Sequence, residues 1–367
     1  MAKTTARDMT VAQTGAGATL RDRAVSVWLW TMAALVLAMI VVGGATRLTD
    51  SGLSITEWRP LLGAIPPLNE AHWLEAFEKY RQIPEYDLVN KGMSLEDFKF
   101  IYWWEWSHRF LGRLIGVAFA LPLLAFWFSS RLRAGLPLKL AGVLALGGLQ
   151  GAIGWYMVQS GLADRVDVSQ YRLALHLTTA FVILGLLVWL ALETSDGRPA
   201  TGAWPAGGAI RNGAAAIVGL VLLQVVLGAF VAGLKAGLVY NSWPDMNGAF
   251  APPDYWTTTP AYLSVFESHA ATQFNHRMTA YLLGAAALVQ LALLLRGPAD
   301  HCSRVSGYAL VAAVFAQMGI GIATLLSGVP LSLGLLHQAG GAIVLAIAVW
   351  HLYSTRRSGA QASPSMI

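Results

Sequence analysis

The stretch EWSHRFLGR, residues 105–113, places Glu105, His108, Arg109 and Arg113 at the mouth of a long apolar run. Ionisable groups at the edge of a hydrocarbon layer are costly and mark functional sites. A second stretch, NHRMTAYLLG (275–284), repeats SHRFLGRLIG (107–116), so His276 stands where His108 does and Arg277 where Arg109 does. Further on, LALHLTTA (173–180) repeats as GLLHQAGG (334–341), which sets His337 over His176. Two imidazoles facing one another inside a helix bundle suit a haem iron between them. Zinc suits them less well, because a histidine pair lacks the further ligands of a tetrahedral site; copper and plain hydrogen-bonded packing stay open. The chain has a single cysteine, Cys302, so no internal disulfide and no cysteine-built metal or iron–sulfur centre can form.

The two copies differ beside the histidines. Glu105, three residues before His108 and therefore on the same helical face, has Gln273 as its counterpart; Arg113 has Tyr281, and Arg47 has Ala232. A carboxylate near a haem can accept a proton or stabilise a developing cation, whereas a glutamine suits a site that only holds its group. The competing description of Glu105 is a surface acid at a helix N-terminus, favoured by the helix dipole. Arg109 and Arg277, and Arg113 with them, are candidates for pairing with haem propionates or for snorkelling to the interface. His72, His269, His301 and His351 read as solvated or interfacial residues.

The elements that must carry these groups are membrane helices. Of 367 residues 56% are hydrophobic and 12% charged, outside the usual composition of a soluble domain. Apolar stretches of spanning length, about 20 residues, fall near 24–44, 108–128, 138–159, 172–192, 213–232, 274–295, 305–326 and 334–354. The expected fold is an all-α membrane protein of eight transmembrane helices, arranged as two tandem four-helix bundles related by a pseudo-twofold axis. Even-numbered units share one orientation, so that axis runs along the membrane normal. The corresponding organisation is a tail 1–23, an N-terminal bundle 24–195 with a long outer loop 45–104, a linker 196–212, a C-terminal bundle 213–354 and a tail 355–367.

Lys and Arg cluster in the tails, at Arg131, Arg133 and Lys139, at Arg198 and Arg211, and at Arg296 and Arg304. These are alternate connections, so both termini are expected in the cytoplasm, with all four histidines toward the outer face. The net charge of +5 is a topology signal, and a nucleic-acid role is not indicated. No cleavage signature follows the first apolar run, which reads against a signal or transit peptide.

The duplication extends into the outer loops. GLSITEWRPLLGAIPP (52–67) aligns at one constant offset with GLVYNSWPDMNGAFAP (237–252), pairing Trp58 with Trp243, both expected as interfacial anchors. Gln150 and Gly154 likewise match Gln317 and Gly321. Gly147, Gly148, Gly151, Gly154, Gly319, Gly321, Gly340 and Gly341 either widen the bundles for a large group or mediate ordinary helix packing. Residues 66–86 read as an amphipathic segment with Trp73, Phe77 and Tyr80 on one face, resting on the membrane surface or contacting a substrate as a lid.

GGATRLTDSGLSITEWRPLLGAIPP (43–67), EWSHRFLGR, LHLTTA (175–180), NHRMTAY (275–281) and LHQAGG (336–341) together resemble the haem A synthases, in the form found in alphaproteobacteria and mitochondria. The cysteine pair of some bacterial relatives is absent. The resemblance implies an oxidoreductase that converts the C8 methyl of haem O to a formyl group by two successive hydroxylations and loss of water, with haem B as cofactor. It further implies His108 and His176 as ligands of the substrate haem, His276 and His337 as ligands of haem B, and Glu105 as the catalytic carboxylate. Electrons would then pass from the substrate methyl to haem B while Glu105 takes a proton or stabilises the cation that water captures. A bacterial inner membrane is expected, with a mitochondrial inner membrane as the alternative. An electron acceptor, a haem O synthase, oxidase assembly factors and a second copy of the chain are the partners this leaves open. The competing function is a dihaem b-type cytochrome carrying electrons between quinol and an acceptor.

Overall fold

The computed structural model describes residues 5–58, 62–162, 166–195 and 207–357, with side chains from Arg23 onward. Most of the expected N-terminal tail, Arg198 with most of the linker, and the C-terminal tail beyond 357 lie outside the residues whose side chains are described.

Eight helices are long and apolar enough to cross a membrane, and no strand occurs among the described residues. In chain order the helices are α1 (Thr5–Leu48), α2 (Glu70–Tyr80), α3 (Pro84–Leu88), α4 (Leu95–Phe128), α5 (Leu136–Leu162), α6 (Gln170–Ser195), α7 (Gly208–Gly233), α8 (Ser264–Glu267), α9 (His269–Arg296), α10 (His301–Leu326) and α11 (Leu331–Arg357). All but α2, α3 and α8 have spanning length. Among the spanning helices, α1 contacts α4 and α6, and α5 contacts the same two. Likewise α7 contacts α9 and α11, and α10 contacts the same pair. Across them α6 meets α7, and α11 meets α1 and α6. A continuous apolar core threads these contacts, including Leu29 and Met32 of α1, Leu184 and Leu187 of α6, Ile217 of α7, Leu310 of α10 and Leu345 of α11.

The sequence expectation fails most clearly at α4. The apolar run begins near 108, but the helix starts at Leu95, because Ser94 and Asp97 form a reciprocal capping box that satisfies the first backbone N–H groups. The three turns before His108 are amphipathic, and their apolar face, Phe98 and Tyr102, is covered by α2. Trp73 meets Tyr102 with ring centres 4.9 Å apart, and Phe77 meets Phe98 at the same separation. Much of the expected outer loop is thus a folded helical cap with a core of its own, in which Tyr80 and Phe98 are fully buried. The apolar face of the amphipathic segment packs on α4, where membrane surface was one of the two expected contacts.

At the outer ends, Arg47 reaches Asp50 at 3.1 Å and Asp167 at 3.2 Å, and Lys235 reaches the same two carboxylates at 3.2 and 3.4 Å. Asp50 and Lys235 are equivalent positions of the repeated loop, and both adopt left-handed backbone, φ 47° and 53°. The repeat therefore meets itself across an ion pair of opposite sign.

Candidate functional site

The four histidines converge in two pairs. His108 of α4 and His176 of α6 have ring centres 6.5 Å apart with planes at 90°; His276 of α9 and His337 of α11 have ring centres 6.3 Å apart with planes at 78°. Because α4 starts early, His108 lies beyond its third turn, and the other three lie about two turns inside their helices. All four are set deeper than the first turn that the apolar boundaries suggest. That depth removes the description of Glu105 as a helix N-terminal acid.

Each imidazole rests against a glycine of a neighbouring helix. A Cβ on Gly43 of α1 would stand 3.1 Å from Nε2 of His108, and one on Gly154 of α5 would stand 3.0 Å from Cε1 of His176. In the second copy, a Cβ on Gly228 of α7 would be 2.9 Å from Cε1 of His276, and one on Gly321 of α10 would be 2.8 Å from Cε1 of His337. These distances lie below the optimum of about 3.5–4.0 Å for carbon contacts, so only glycine lets each ring lie where it does. Gly154 and Gly321 were visible in the sequence as repeat partners. Gly43 and Gly228 share the offset of the repeated loops, a signal that could have found them.

Glu105, 2% exposed, occupies the joint between α4 and the outer loop. Its Oε2 accepts from Ser54 Oγ at 2.8 Å and from the Ile55 backbone N–H at 2.7 Å, and its Oε1 accepts from Arg109 Nη2 at 2.5 Å. Arg109 also donates to the carbonyls of Ile55 (2.8 Å) and Glu57 (3.1 Å). The second copy builds the same joint in neutral form. Gln273 donates to the carbonyls of Ala236 and Tyr240 at 3.2 and 3.1 Å. Arg277 donates to Tyr240 O at 2.8 Å, to Ser242 O and Asp245 O at 3.0 Å, and to Gln273 Oε1 at 3.4 Å. Tyr240 and Ser242 are the repeat equivalents of Ile55 and Glu57, so the two arginines grip equivalent carbonyls.

Three glutamines that the sequence did not assign to the site complete it. Gln150 Nε2 donates to His176 O at 2.9 Å, Gln224 Nε2 to His276 O at 3.0 Å and Gln317 Nε2 to His337 O at 2.7 Å. Gln150 and Gln317 stood out only as repeat partners, and Gln224 not at all. His351 corrects another expectation. It is fully buried, with Nδ1 2.9 Å from Ser306 Oγ and Nε2 3.0 Å from Gln290 Nε2. Gln290 of α9 and Ser306 of α10 close over the ring, so these side chains satisfy it where water was expected.

Comparison with known proteins identifies the family. The family model described as cytochrome oxidase assembly protein, COX15-CtaA, matches residues 26–349. The chain belongs to the COX15-CtaA family. Among curated relatives, the Heme A synthase of Parvibaculum lavamentivorans is 52% identical over 90% of this chain and 94% of its own length. That of Rhodospirillum centenum is 52% identical over 91% and 89%, and that of Maricaulis maris 49% identical over 92% and 98%.

This COX15-CtaA member is a multi-pass membrane protein, and among the described residues no cluster of three or more His, Cys, Asp or Glu that could hold a metal ion occurs. The pairs fit haem. Two imidazole–metal bonds of about 2 Å plus the ring radii place ring centres roughly 6 Å apart, close to both observed separations. Nδ1 of His176 and of His276 are buried with no protein partner. The COX15-CtaA chain forms a cleft of about 310 Å³ between the outer loop, α2 and α4, lined by Lys79, Tyr102, Arg109 and Arg113 among others. Tyr281, at the position equivalent to Arg113, instead accepts from Trp243 Nε1 at 2.9 Å.

Proposed function

We propose that this protein is a haem A synthase, an oxidoreductase that converts the C8 methyl of haem O to the formyl group of haem A for cytochrome oxidase. The observation that carries the assignment is a duplicated bis-histidine frame in which one copy holds a buried carboxylate, Glu105, where the other holds Gln273. In this proposal His108 and His176 ligate haem O, the substrate, and His276 and His337 ligate a resident haem B. Haem B held by His276 and His337 would supply an electron acceptor for the oxidation. The two sites belong to tandem four-helix bundles, 24–195 and 213–354, related by a pseudo-twofold axis, in a bacterial inner membrane with both termini cytoplasmic and the haems toward the periplasm.

The chain's own groups have definite tasks. A carboxylate offers about four acceptor sites, and three on Glu105 are filled by Ser54, Ile55 and Arg109. The remaining site is available to a proton leaving the substrate methyl or the water that replaces it. Arg109 holds Glu105 in place and lies against it as a counter-charge in a largely dry setting. Arg113, lining the cleft, is placed for a substrate propionate; Arg109 and Arg277 would offer propionates a positive field while gripping the loops. Haem O reaches the protein from a haem O synthase, and oxidase assembly factors receive the product.

Extraction of the haems from purified protein, followed by chromatography with mass detection, tests the proposal. Haem B together with haem O, its hydroxylated form or haem A is the expected result. Haem B alone at about two per chain, unchanged when the host is supplied with haem O, would overturn it in favour of a dihaem electron carrier.

A further inference from the structure

Three of the four histidines are tied by a glutamine amide and the fourth is not. Gln150, Gln224 and Gln317 each donate to the backbone carbonyl of their histidine, and the latter two also bring Nε2 within 3.3 Å of His276 Nε2 and 3.0 Å of His337 Nδ1. Among the described residues no side-chain amide reaches His108 in this way. The repeat explains why. Gly43 and Gly228 both abut their imidazoles, and one turn earlier on the same helices Gln224 has Met39 as its equivalent. The Met39 methyl lies 3.0 Å from where a Cβ on Gly112 would be, and the residue equivalent to Gly112 is Ala280. Two facing positions have therefore diverged together: Met39 with Gly112 beside His108, Gln224 with Ala280 beside His276.

We propose that this pair sets which haem is exchanged and which is kept. Met39 offers no N–H and is flexible along its whole length, so the turn bearing His108 lacks the amide tie that Gln224 gives His276. His108 is then the ligand that lets go, and substrate haem enters and product leaves from the α4 side, while His176 stays fixed by Gln150. Gln224 is the positioning residue that makes the second site resident. This rests on the haem A synthase assignment, in which the first site must turn its haem over and the second must not.

Haem loss from the full-length protein, loaded with haem O and transferred to excess apomyoglobin, tests it by absorbance, with mass detection of the haem released. The expected wild-type trace has a fast phase of haem O or its products and a slow phase of haem B. Met39→Gln combined with Gly112→Ala should slow the fast phase about fivefold, the worth of one net hydrogen bond. Gln224→Met should accelerate the slow phase by a similar factor. Met39→Leu, which keeps the volume and adds no amide, should keep the wild-type fast phase. A fast phase unchanged in the double variant, with its low-spin bis-histidine spectrum intact, would overturn the proposal. Should the double variant fail to load haem, an unchanged slow phase in Gln224→Met would overturn it alone. A wild-type trace of haem B only, in one phase, would instead sink the enzymatic assignment beneath it.

Discussion

Replacing Glu105 by Gln tests both the joint and the chemistry, and the structure separates the two effects. In the native protein three donors converge on the carboxylate, from Ser54, Ile55 and Arg109. A glutamine amide can accept at one end only; with its oxygen turned to Arg109, as Gln273 Oε1 is turned to Arg277, its NH2 confronts the Ile55 N–H. The loss is at least one charge-assisted bond, about 1.5–3 kcal/mol. The upper bound for leaving one partner of a buried pair uncompensated is about 3–5 kcal/mol, but Arg109 keeps the carbonyls of Ile55 and Glu57, so the lower range applies. Since each 1.4 kcal/mol is a factor of ten, the Ile55 amide should lose between about tenfold and a hundredfold in hydrogen-exchange protection. Haem content should remain, because His108 and His176 are untouched. Turnover of haem O should fall far more than Ser54→Ala, which removes one donor and keeps the carboxylate, makes it fall. Unchanged protection at Ile55 would refute the joint, and turnover equal in the two variants would refute the catalytic role.

Gly228→Ala and Gly321→Ala should each deplete the haem of the second site, since the added Cβ meets the imidazole at 2.9 and 2.8 Å and a ligand tolerates displacement of only about 0.5 Å; Gly43→Ala, at 3.1 Å, should have a smaller effect at the first site, and haem content per chain checks both. In the outer cap, burial pushes the Glu85 carboxyl up from 4.5 to about 7 despite its hydrogen bond from Tyr80. Its neutral form is the one the fold prefers, so its contribution to cap stability is complete below pH 4.5 and is lost as pH rises through 7. Proteolysis of the cap should accelerate across that window, and Glu85→Gln should flatten the profile. His351→Ala removes the ring shared by Gln290 and Ser306, which keep the carbonyls of Ile210 and Ser303, at about 0.5–1.5 kcal/mol for each bond lost. It should lower thermal stability at unchanged haem content, whereas His337→Ala should remove haem.

The spans, the four histidines and their pairing were legible because each rests on a signal that survives in one dimension: apolar length, residue type and the internal repeat. The start of α4 was not, because the turns from Leu95 to Ser107 are too polar to count as membrane and become helix through a capping box and a tertiary partner, α2, far away in sequence. His351 was misjudged for the same kind of reason. Its solvation depends on the helices that cover it, and a residue near the end of an apolar run looks interfacial until those are known. Gln224 and Met39 carry a readable difference, but only the contacts of Gly43 and Gly228 show that both belong beside a histidine of the pairs.

The repeat of the outer loops, stronger than loops usually show, has its cause in the same joint. Arg109 and Arg277 follow their histidines directly in sequence, and each grips the equivalent pair of loop carbonyls, Ile55 with Glu57 and Tyr240 with Ser242. A shift of either loop by one residue would point those carbonyls away and strand a largely buried guanidinium. The loop therefore fixes the rotation of the helix that presents the histidine, and its backbone course is constrained as tightly as the histidine itself. Within that shared constraint the residue on the preceding turn is free to vary in charge. Glu105 can replace glutamine because Ser54 and the Ile55 N–H present donors to it, where at the equivalent positions Val239 has no side-chain donor and the Tyr240 carbonyl accepts from Gln273. The residue beside the histidine thus diverged through the loop that reads the helix, with the histidine frame left in place.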